Sequence, residues 1–264
     1  MLKRRFIPVL FLQNGWIVRS ESFAIHQVIG SPFPHVERMM EWDVDELIVL
    51  DISRGEDAGF AHGRLDHIDR GGSQSLREFV EQIASVARIP LTFGGRIRSL
   101  EDIAERIRWG ADKVCLNTMI LNDTSTVRDA AKIFGSQALV ASIDYRIVDG
   151  TAVAFGDHGG ACTGILVSDL AKRAQDSLVG EIFLNSIDRD GRATGYDLDT
   201  IDQVVGAVDL PVIVCGGAGH QSHFLKCFQE TEAAAVAAGN IFHFTENAYP
   251  RAKAYLKRRG CLVR

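Results

Sequence analysis

Residues 180–197 read GEIFLNSIDRDGRATGYD, and this stretch decides the fold. It opens on Ile182, Phe183 and Leu184, an apolar run typical of a strand buried on both faces. Polar residues and a glycine follow at once, and Asp197 is placed to cap the next helix. A strand, a polar turn and a helix in this order make one unit of a parallel α/β fold, in which ligands gather at the carboxyl ends of the strands.

The same alternation extends along the whole chain. Apolar runs predict eight strands, over residues 6–11, 47–50, 90–93, 113–116, 138–143, 182–184, 211–215 and 234–238. Amphipathic patterns predict helices that include residues 75–87, 99–109, 125–134, 197–207 and 245–258. Eight βα units in about 250 residues predict an α/β fold with a single (β/α)8 TIM barrel over residues 1–264. A doubly wound sheet is the alternative, because periodicity does not distinguish a closed sheet from an open one.

An internal repeat favours the barrel. PLTFGGR at residues 90–96 parallels PVIVCGG at residues 211–217, and 22 positions separate both Arg96 from Thr118 and Gly217 from Gly239. Two half-barrel copies would produce this pattern. Each copy is then expected to carry a phosphate site built from backbone N–H groups and a helix N-terminus. A tight Gly-Gly turn with no ligand is the alternative.

Composition excludes several classes of protein. The chain has 264 residues, 46% of them hydrophobic and 24% charged, as in an ordinary globular protein. The net charge of −5 and the lack of a basic stripe argue against nucleic-acid binding. No run approaches the roughly 18 apolar residues of a membrane span, and the first residues do not resemble a signal peptide, so a cytoplasmic protein is predicted. Five cysteines without a CxxC pair argue against a disulfide framework or structural zinc.

A segment rich in Gly, Asp, His and Arg, residues 53–72, interrupts the rhythm after the second strand. Loops of this length in a compact barrel are usually functional lids or disordered. The alternative is a metal site made by His62, His67, Asp66 and Asp69, but no helix fixes their spacing. Neither a metal nor a cofactor is therefore predicted.

Taken together, these motifs resemble the HisF family, the cyclase subunit of imidazole glycerol phosphate synthase. The resemblance covers nearly the whole chain. It rests on R-x-IP at residues 5–8, DELIVLD at 45–51, GADKVCLNT at 110–118, FGSQ at 134–137, ASID at 141–144, SIDRDG at 186–191, GGAG at 216–219 and FHF at 242–244. It implies a glutaminase partner on the amino-terminal face, ammonia crossing the barrel interior, and a bisphosphorylated substrate at the far end.

The resemblance also assigns roles to individual residues. The ring that gates ammonia entry matches Arg5, Glu46, Lys113 and Glu181, for which a purely structural salt-bridge cluster is the alternative. The phosphate site of the second half matches Asp190, Gly191, Gly217, Ala238 and Gly239, and the first half keeps Asn117 and Thr118. Asp144 matches one of two acid/base aspartates and Asn185 is expected near it. The alternative for Asp144 is a carboxylate held by loop N–H groups.

Two positions depart from the family pattern. Phe11 ends the first strand where the other catalytic aspartate is expected, and it cannot transfer a proton. General acid–base catalysis contributes roughly 10²- to 10⁴-fold, so cyclase activity should suffer. Arg96 replaces a glycine of the first phosphate loop. Its guanidinium suits an anion, but its bulk fills the space where N–H groups approach phosphate, so a different ligand is expected at that end.

Loss of the first-strand aspartate resembles a branch of the family associated with bacterial surface-polysaccharide genes. The leading hypothesis is therefore an ammonia-channelling synthase subunit that forms acetamidino sugars for a surface polysaccharide such as lipopolysaccharide, with a glutaminase, a sugar amidotransferase and a nucleotide-sugar substrate. The first alternative is a cyclase of histidine biosynthesis that tolerates Phe11. The second is a noncatalytic scaffold that activates a glutaminase.

Overall fold

The computed structural model describes residues 3–54, 76–244 and 246–264. Most of the long segment at residues 53–72, including His62, Asp66, His67 and Asp69, lies outside the described residues. The described strands are β1 (Arg5–Gln13), β2 (Trp16–Glu21), β3 (Ile25–Gly30), β4 (Leu47–Asp51), β5 (Leu91–Gly94), β6 (Lys113–Leu116), β7 (Leu139–Val148), β8 (Thr151–Gly156), β9 (Ala161–Leu166), β10 (Glu181–Ser186), β11 (Val212–Cys215) and β12 (Ala235–Ala238).

Helices lie between the barrel strands. They are α1 (Pro32–Glu41), α2 (Leu76–Val86), α3 (Leu100–Arg108), α4 (Thr118–Asn122), α5 (Thr124–Phe134), α6 (Val167–Asp176), α7 (Leu198–Val205), α8 (Gln221–Glu230), α9 (Ile241–Phe244) and α10 (Ala248–Arg258). Among the described helices, none combines the length and apolar character that crossing a bilayer requires.

Eight of the strands pair in parallel and close into a barrel in the order β1, β4, β5, β6, β7, β10, β11, β12. Closure is direct, because β12 pairs with β1 and places Ala235 opposite Arg5. The predicted (β/α)8 TIM barrel is therefore confirmed, and the doubly wound alternative is excluded. All eight predicted strands are present. β1 and β7 run further than predicted because each continues into antiparallel pairing with an extra strand.

Those extra strands form two hairpins at equivalent places in the two halves. β2 and β3 follow the first strand of the first half, and β8 and β9 follow the first strand of the second half. Asn14-Gly15 and Asp149-Gly150 make the two turns, all four residues with positive φ between 49° and 82°. Asn-Gly and Asp-Gly are the preferred pairs for such two-residue turns. The hairpins agree with a barrel built from two half-barrel repeats.

The predicted cap residue Asp197 stands at the start of α7 but does not make the capping hydrogen bond. Asp197 is the N-cap residue of α7, but its side chain caps no helix N–H group. Its carboxylate instead accepts a hydrogen bond of 3.1 Å from the Tyr145 hydroxyl. Tertiary contact with β7 therefore replaces the local cap that the sequence predicted.

Side chains alternate across the barrel wall and set up three levels inside it. Along β1, Phe6, Leu10 and Leu12 pack outward against the helices. Ile7, Val9 and Phe11 on the same strand face the barrel interior. Among the interior residues are Ile7, Val9, Ile48, Val140 and Phe183, all fully or nearly fully buried. Charged residues precede this apolar layer at the amino ends of the strands, and polar residues follow it at the carboxyl ends.

Candidate active site

A cavity of about 870 Å³ opens at the carboxyl ends of the barrel strands, within the size range of small-molecule sites. Strand ends of both halves and both hairpins contribute to it. Five of the predicted site residues line this cavity: Arg96, Asn117, Thr118, Asp144 and Asn185. The fold therefore brings together residues that lie far apart in the sequence.

Asp144 is the carboxylate best placed for proton transfer. Asn117 Nδ2 donates to Asp144 Oδ2 and Asn185 Nδ2 donates to Asp144 Oδ1, both at 3.2 Å. Burial raises the pKa of Asp144 to about 7, which the hydrogen bond from Asn185 counteracts. Its described hydrogen-bond partners are side-chain amides rather than the loop N–H groups of the alternative interpretation. A carboxyl group with such a pKa exchanges protons readily at neutral pH.

Asn185 has an unused acceptor beside Asp144. The side chain is 1% exposed, and its Nδ2 is committed to the Asp144 carboxylate. Its Oδ1 accepts no hydrogen bond from the residues that the structure describes. Buried polar atoms normally have a partner, so a donor on a ligand would satisfy this oxygen.

Phe11 forms an aromatic wall at the carboxyl end of β1. The side chain is buried, lines the cavity, and packs edge-on against Phe23 with 6.4 Å between ring centroids. A Cβ on Gly239 would lie 3.4 Å from Phe11 Cε2, so the ring occupies the space beside the last barrel strand. An apolar ring therefore stands where the family resemblance leads one to expect a second carboxylate.

The structure orients Arg96 toward the cavity and adds a residue that the sequence reasoning missed. Asp51, at the end of β4, also lines the cavity, and its Oδ2 lies 3.9 Å from Arg96 Nη1. Ser53 N donates to Asp51 Oδ1 at 3.0 Å. Burial raises the pKa of Asp51. Its position directly after an apolar strand was the available sequence signal.

The residues predicted for the second phosphate site lie behind lining residues such as Ser20 and Phe11 and do not themselves line the cavity: Asp190, Gly191, Gly217, Ala238 and Gly239. The end of β2 and the turn after it pack against Asp190 and Gly191. Ser20 Oγ donates to Asp190 Oδ2 at 2.6 Å, and Phe23 N donates to the same oxygen at 3.4 Å. A Cβ on Gly191 would lie 2.4 Å from the Ser20 carbonyl oxygen. A second phosphate site here stays a prediction.

The bond between Ser20 and Asp190 allows a stability prediction. Replacing Ser20 by alanine should lower the free energy of unfolding by about 1.5–3 kcal/mol, because a buried carboxylate loses its shortest hydrogen bond. Urea unfolding followed by circular dichroism measures the change. Ser22→Ala, in the turn directly after β2, is the control, since the Ser22 hydroxyl accepts an exposed hydrogen bond from Arg192. An equal effect of both substitutions would contradict the prediction.

A ring of charges closes the opposite, amino-terminal end of the barrel. Arg5 contacts Glu46 at 3.1 Å and Glu181 at 2.8 Å. Lys113 contacts Glu181 at 2.8 Å and Glu46 at 3.7 Å. The four residues of the predicted gate therefore form one closed ring, which alternates in sign. Its geometry suits both gating and a structural role, so gating stays a prediction.

Arg264 joins this ring without any signal in the sequence. Its Nη1 lies 3.3 Å from Glu46 Oε1, and its side chain is half-exposed. A bridge between Arg4 and Val263 brings the last residues beside β1. The contact thus arises from tertiary structure rather than from a motif.

Comparison with known proteins places the chain among a group of similar sequences. Residues 5–248 match the family described as "Histidine biosynthesis protein". The imidazole glycerol phosphate synthase subunit HisF of Metallosphaera sedula is 39% identical over 264 residues, with 100% of both chains covered. The protein of the same name from Hydrogenobaculum sp. is 34% identical over 265 residues, again with 100% of both chains covered.

Proposed function

Because the chain belongs to the HisF family of histidine biosynthesis proteins, we propose that it is the cyclase subunit of an imidazole glycerol phosphate synthase. Asp144 is the proton-transfer group, and a glutaminase is the partner that supplies ammonia. The observation that carries the proposal is Asp144 itself. It lies between two amides in the large cavity, with a pKa raised to about 7 by burial.

The carboxyl group of Asp144 suits a reaction that both removes and returns protons. Near neutral pH it is present in both protonation states, so the same group can act first as base and then as acid. The two amides fix its two oxygens and hold it at the cavity wall. Proton transfer of this kind contributes roughly 10²- to 10⁴-fold to a rate.

The charged ring is the proposed docking side for the glutaminase and the entrance for ammonia. It lies at the opposite end of the barrel from Asp144, with the apolar layer between them. A neutral molecule such as ammonia enters an apolar interior at much lower cost than an ammonium ion. Arg5, Glu46, Lys113 and Glu181 are the gate residues in this proposal.

The residues that line the cavity are proposed to bind the substrate. Asn117, Thr118 and Arg96 lie on the first-half side and are proposed to hold one phosphate. The proposed second phosphate site consists of Asp190, Gly191, Gly217, Ala238 and Gly239, beside Ser20 at the cavity wall. Asn185 is proposed to contact the substrate through its unpartnered Oδ1.

The comparisons favour histidine biosynthesis over the leading hypothesis from the sequence. The named relatives are imidazole glycerol phosphate synthase subunits, and nothing among them supports acetamidino-sugar formation or a sugar amidotransferase. The sugar role is retained as a second candidate for one reason. Phe11 places an aromatic ring at the strand end where a cyclase of this family is expected to carry its other aspartate.

A turnover assay tests the proposal. The purified chain is incubated with the bisphosphorylated histidine-pathway intermediate and excess ammonium salt, and products are identified by mass spectrometry. Imidazole glycerol phosphate that depends on ammonium is the expected result, with omission of ammonium as the control. A folded chain that forms none of it contradicts the histidine role. The same reaction is then run with the glutaminase and N-acetylated nucleotide sugars. A noncatalytic scaffold would give no product with either substrate.

A further inference from the structure

The proposed reaction lacks a proton-transfer group on one side of the barrel. β1 and β7 stand opposite each other in the order of the eight barrel strands, so Phe11 and Asp144 line the cavity from opposite sides. Asp144 can transfer protons on its own side, whereas the Phe11 ring can transfer none. A chain that carries out this chemistry therefore needs another titratable side chain near Phe11.

Most titratable side chains of the described cavity lining are unsuitable for this role. Arginines keep their protons at neutral pH. Burial raises the pKa of the Cys115 thiol to about 12, so the thiol stays protonated. The side chain of Asp51 is 0% exposed and does not reach a ligand. The remaining candidates are Asp157, His26 and His158, and of these side-chain types only imidazole ordinarily changes its charge near neutral pH.

The turn between β8 and β9 brings His158 across the mouth toward Phe11. β8 runs antiparallel to β7, so its far end returns toward the barrel mouth. A Cβ on Gly159 would lie 3.1 Å from Phe23 Cδ2, so the backbone of this turn is close to the Phe23 ring. Phe23 in turn packs edge-on against Phe11. His158 directly precedes Gly159 and lines the same cavity.

The backbone at His158 has an unusual conformation. Asp157 and His158 have φ values of 47° and 53°, so two successive residues other than glycine are left-handed. Residues with a side chain disfavour this conformation, and it is concentrated at functional sites. The strained turn therefore supports a functional role for a side chain that it presents to the cavity.

The surroundings of His158 favour its neutral form, which can accept a proton. Partial burial and the charge of Arg54 lower the pKa of His158 below its ordinary value of 6.5, and Asp157 opposes this shift. At pH 7 the imidazole is therefore mostly neutral. The charged and titratable groups that face it come from β4, the loop after β4, the loop after β5, β3 and its own turn: Asp51, Arg54, Arg98, His26 and Asp157.

We propose that His158 is a further catalytic residue, which transfers protons to and from the substrate on the Phe11 side of the cavity. The neutral imidazole accepts one proton from the substrate, becomes an imidazolium, and returns the proton to the substrate or to water. It thereby takes the part of the aspartate that is missing from the first strand. The inference rests on the proposed function, because it concerns the same reaction at the same site.

A double-mutant cycle between positions 158 and 11 tests the inference, with the turnover number in excess ammonium salt as the measurement. His158→Asn should lower turnover about 10²-fold, because asparagine tolerates the left-handed backbone but cannot transfer the proton. In the Phe11→Asp background the same substitution should cost less than ~10-fold, because the restored carboxylate can transfer the proton instead. Phe11→Asn is the matched control, and it should not reduce the dependence on His158.

The pH dependence gives a second readout that requires no change at Phe11. An imidazolium cannot accept a proton, so the advantage of the wild type over His158→Asn should shrink as the pH falls below 6.5. The other groups that face His158 titrate in both proteins, so a purely structural role would leave the ratio of the two turnover numbers unchanged. His220→Asn removes an exposed imidazole away from the cavity lining and should keep turnover within about threefold of the wild type.

Three results would overturn the inference: equal losses from His158→Asn in the wild-type and Phe11→Asp backgrounds, a ratio that does not change with pH, or turnover within about threefold of the wild type in His158→Asn. Circular dichroism and thermal melting verify that each variant folds. A wild-type chain that forms no imidazole glycerol phosphate overturns the proposed function and this inference with it. Cyclase turnover that does not depend on His158 overturns this inference alone.

Discussion

Replacing Asp144 by asparagine should lower the turnover number with ammonium salt by roughly 10²- to 10⁴-fold, the usual contribution of a general acid or base. The substitution preserves the size of the side chain and one acceptor for the amides of Asn117 and Asn185, but the new amide cannot transfer the proton. Steady-state kinetics with excess ammonium measures the loss. Circular dichroism and thermal melting verify that the variant folds.

The pH profile separates a chemical role of Asp144 from a structural one. Its pKa is about 7, so the ionised form that accepts a proton increases as the pH rises through neutrality. If the base form limits the rate, wild-type turnover should rise with pH along a limb centred near pH 7, and Asp144→Asn should lack that limb.

Asp157→Asn is the matched control, because Asp157 is a second carboxylate on the cavity wall without the buried environment of Asp144. Turnover within about threefold of the wild type is expected for it, since it takes no part in proton transfer. More than a tenth of wild-type turnover in Asp144→Asn, with the pH limb intact, would exclude proton transfer by this residue.

Replacing Arg5 by alanine should lower the free energy of unfolding by about 3–5 kcal/mol. Arg5 is nearly fully buried and contacts both acidic members of the ring, so its loss leaves two buried carboxylates, Glu46 and Glu181, with Lys113 as the remaining cation of the ring. This is a large share of the 5–15 kcal/mol that typically separates folded and unfolded states. Urea unfolding at pH 7 measures the change.

Arg264→Ala is the control for this substitution. Arg264 contacts the same Glu46 from a half-exposed position, and an exposed pair contributes about 1 kcal/mol or less. Equal losses in both variants would mean that the ring is not the buried network that the distances indicate.

The effect of Arg5→Ala should also depend on pH. Burial raises the pKa of Glu181, but Arg5 and Lys113 outweigh it and leave the pKa below its ordinary value of 4.5. A lowered carboxyl pKa contributes stability that is present above the ordinary value and is lost as the pH falls through the lowered one. The difference between wild type and Arg5→Ala should therefore shrink in acid.

The barrel could be predicted because its strands are buried on both faces and appear as short apolar runs, such as residues 182–184 and 211–215. The hairpins were missed even though Asn14-Gly15 and Asp149-Gly150 are strong turn signals. Their strands carry mixed polar and apolar residues, and β3 has exposed Ile25 and Val28. For predicting the hairpins, the Asn-Gly and Asp-Gly turn signals were therefore more informative than the hydrophobic periodicity of the strands.

Site residues at strand ends were predictable for the same geometric reason. Asn117, Asp144 and Asn185 each follow a buried run, and the parallel barrel places their ends together. The bond from Ser20 to Asp190 was not predictable, because 170 positions separate the two residues and no periodic pattern links them. The contact between Asp51 and Arg96 likewise depends on the conformation of the loop after β5, which places Arg96 beside the end of β4.

The apolar layer inside the barrel separates two sets of charges. Glu181 in the ring and Asn185 beside Asp144 lie four positions apart on one strand, about 13 Å, with Phe183 between them. Groups at such separations without shared partners contribute almost additively to free energy. One end can therefore change its residues without compensating changes at the other. This independence is consistent with a chain that has all four ring residues at the amino-terminal end and yet carries Phe11 and Arg96 at the carboxyl-terminal end of the barrel.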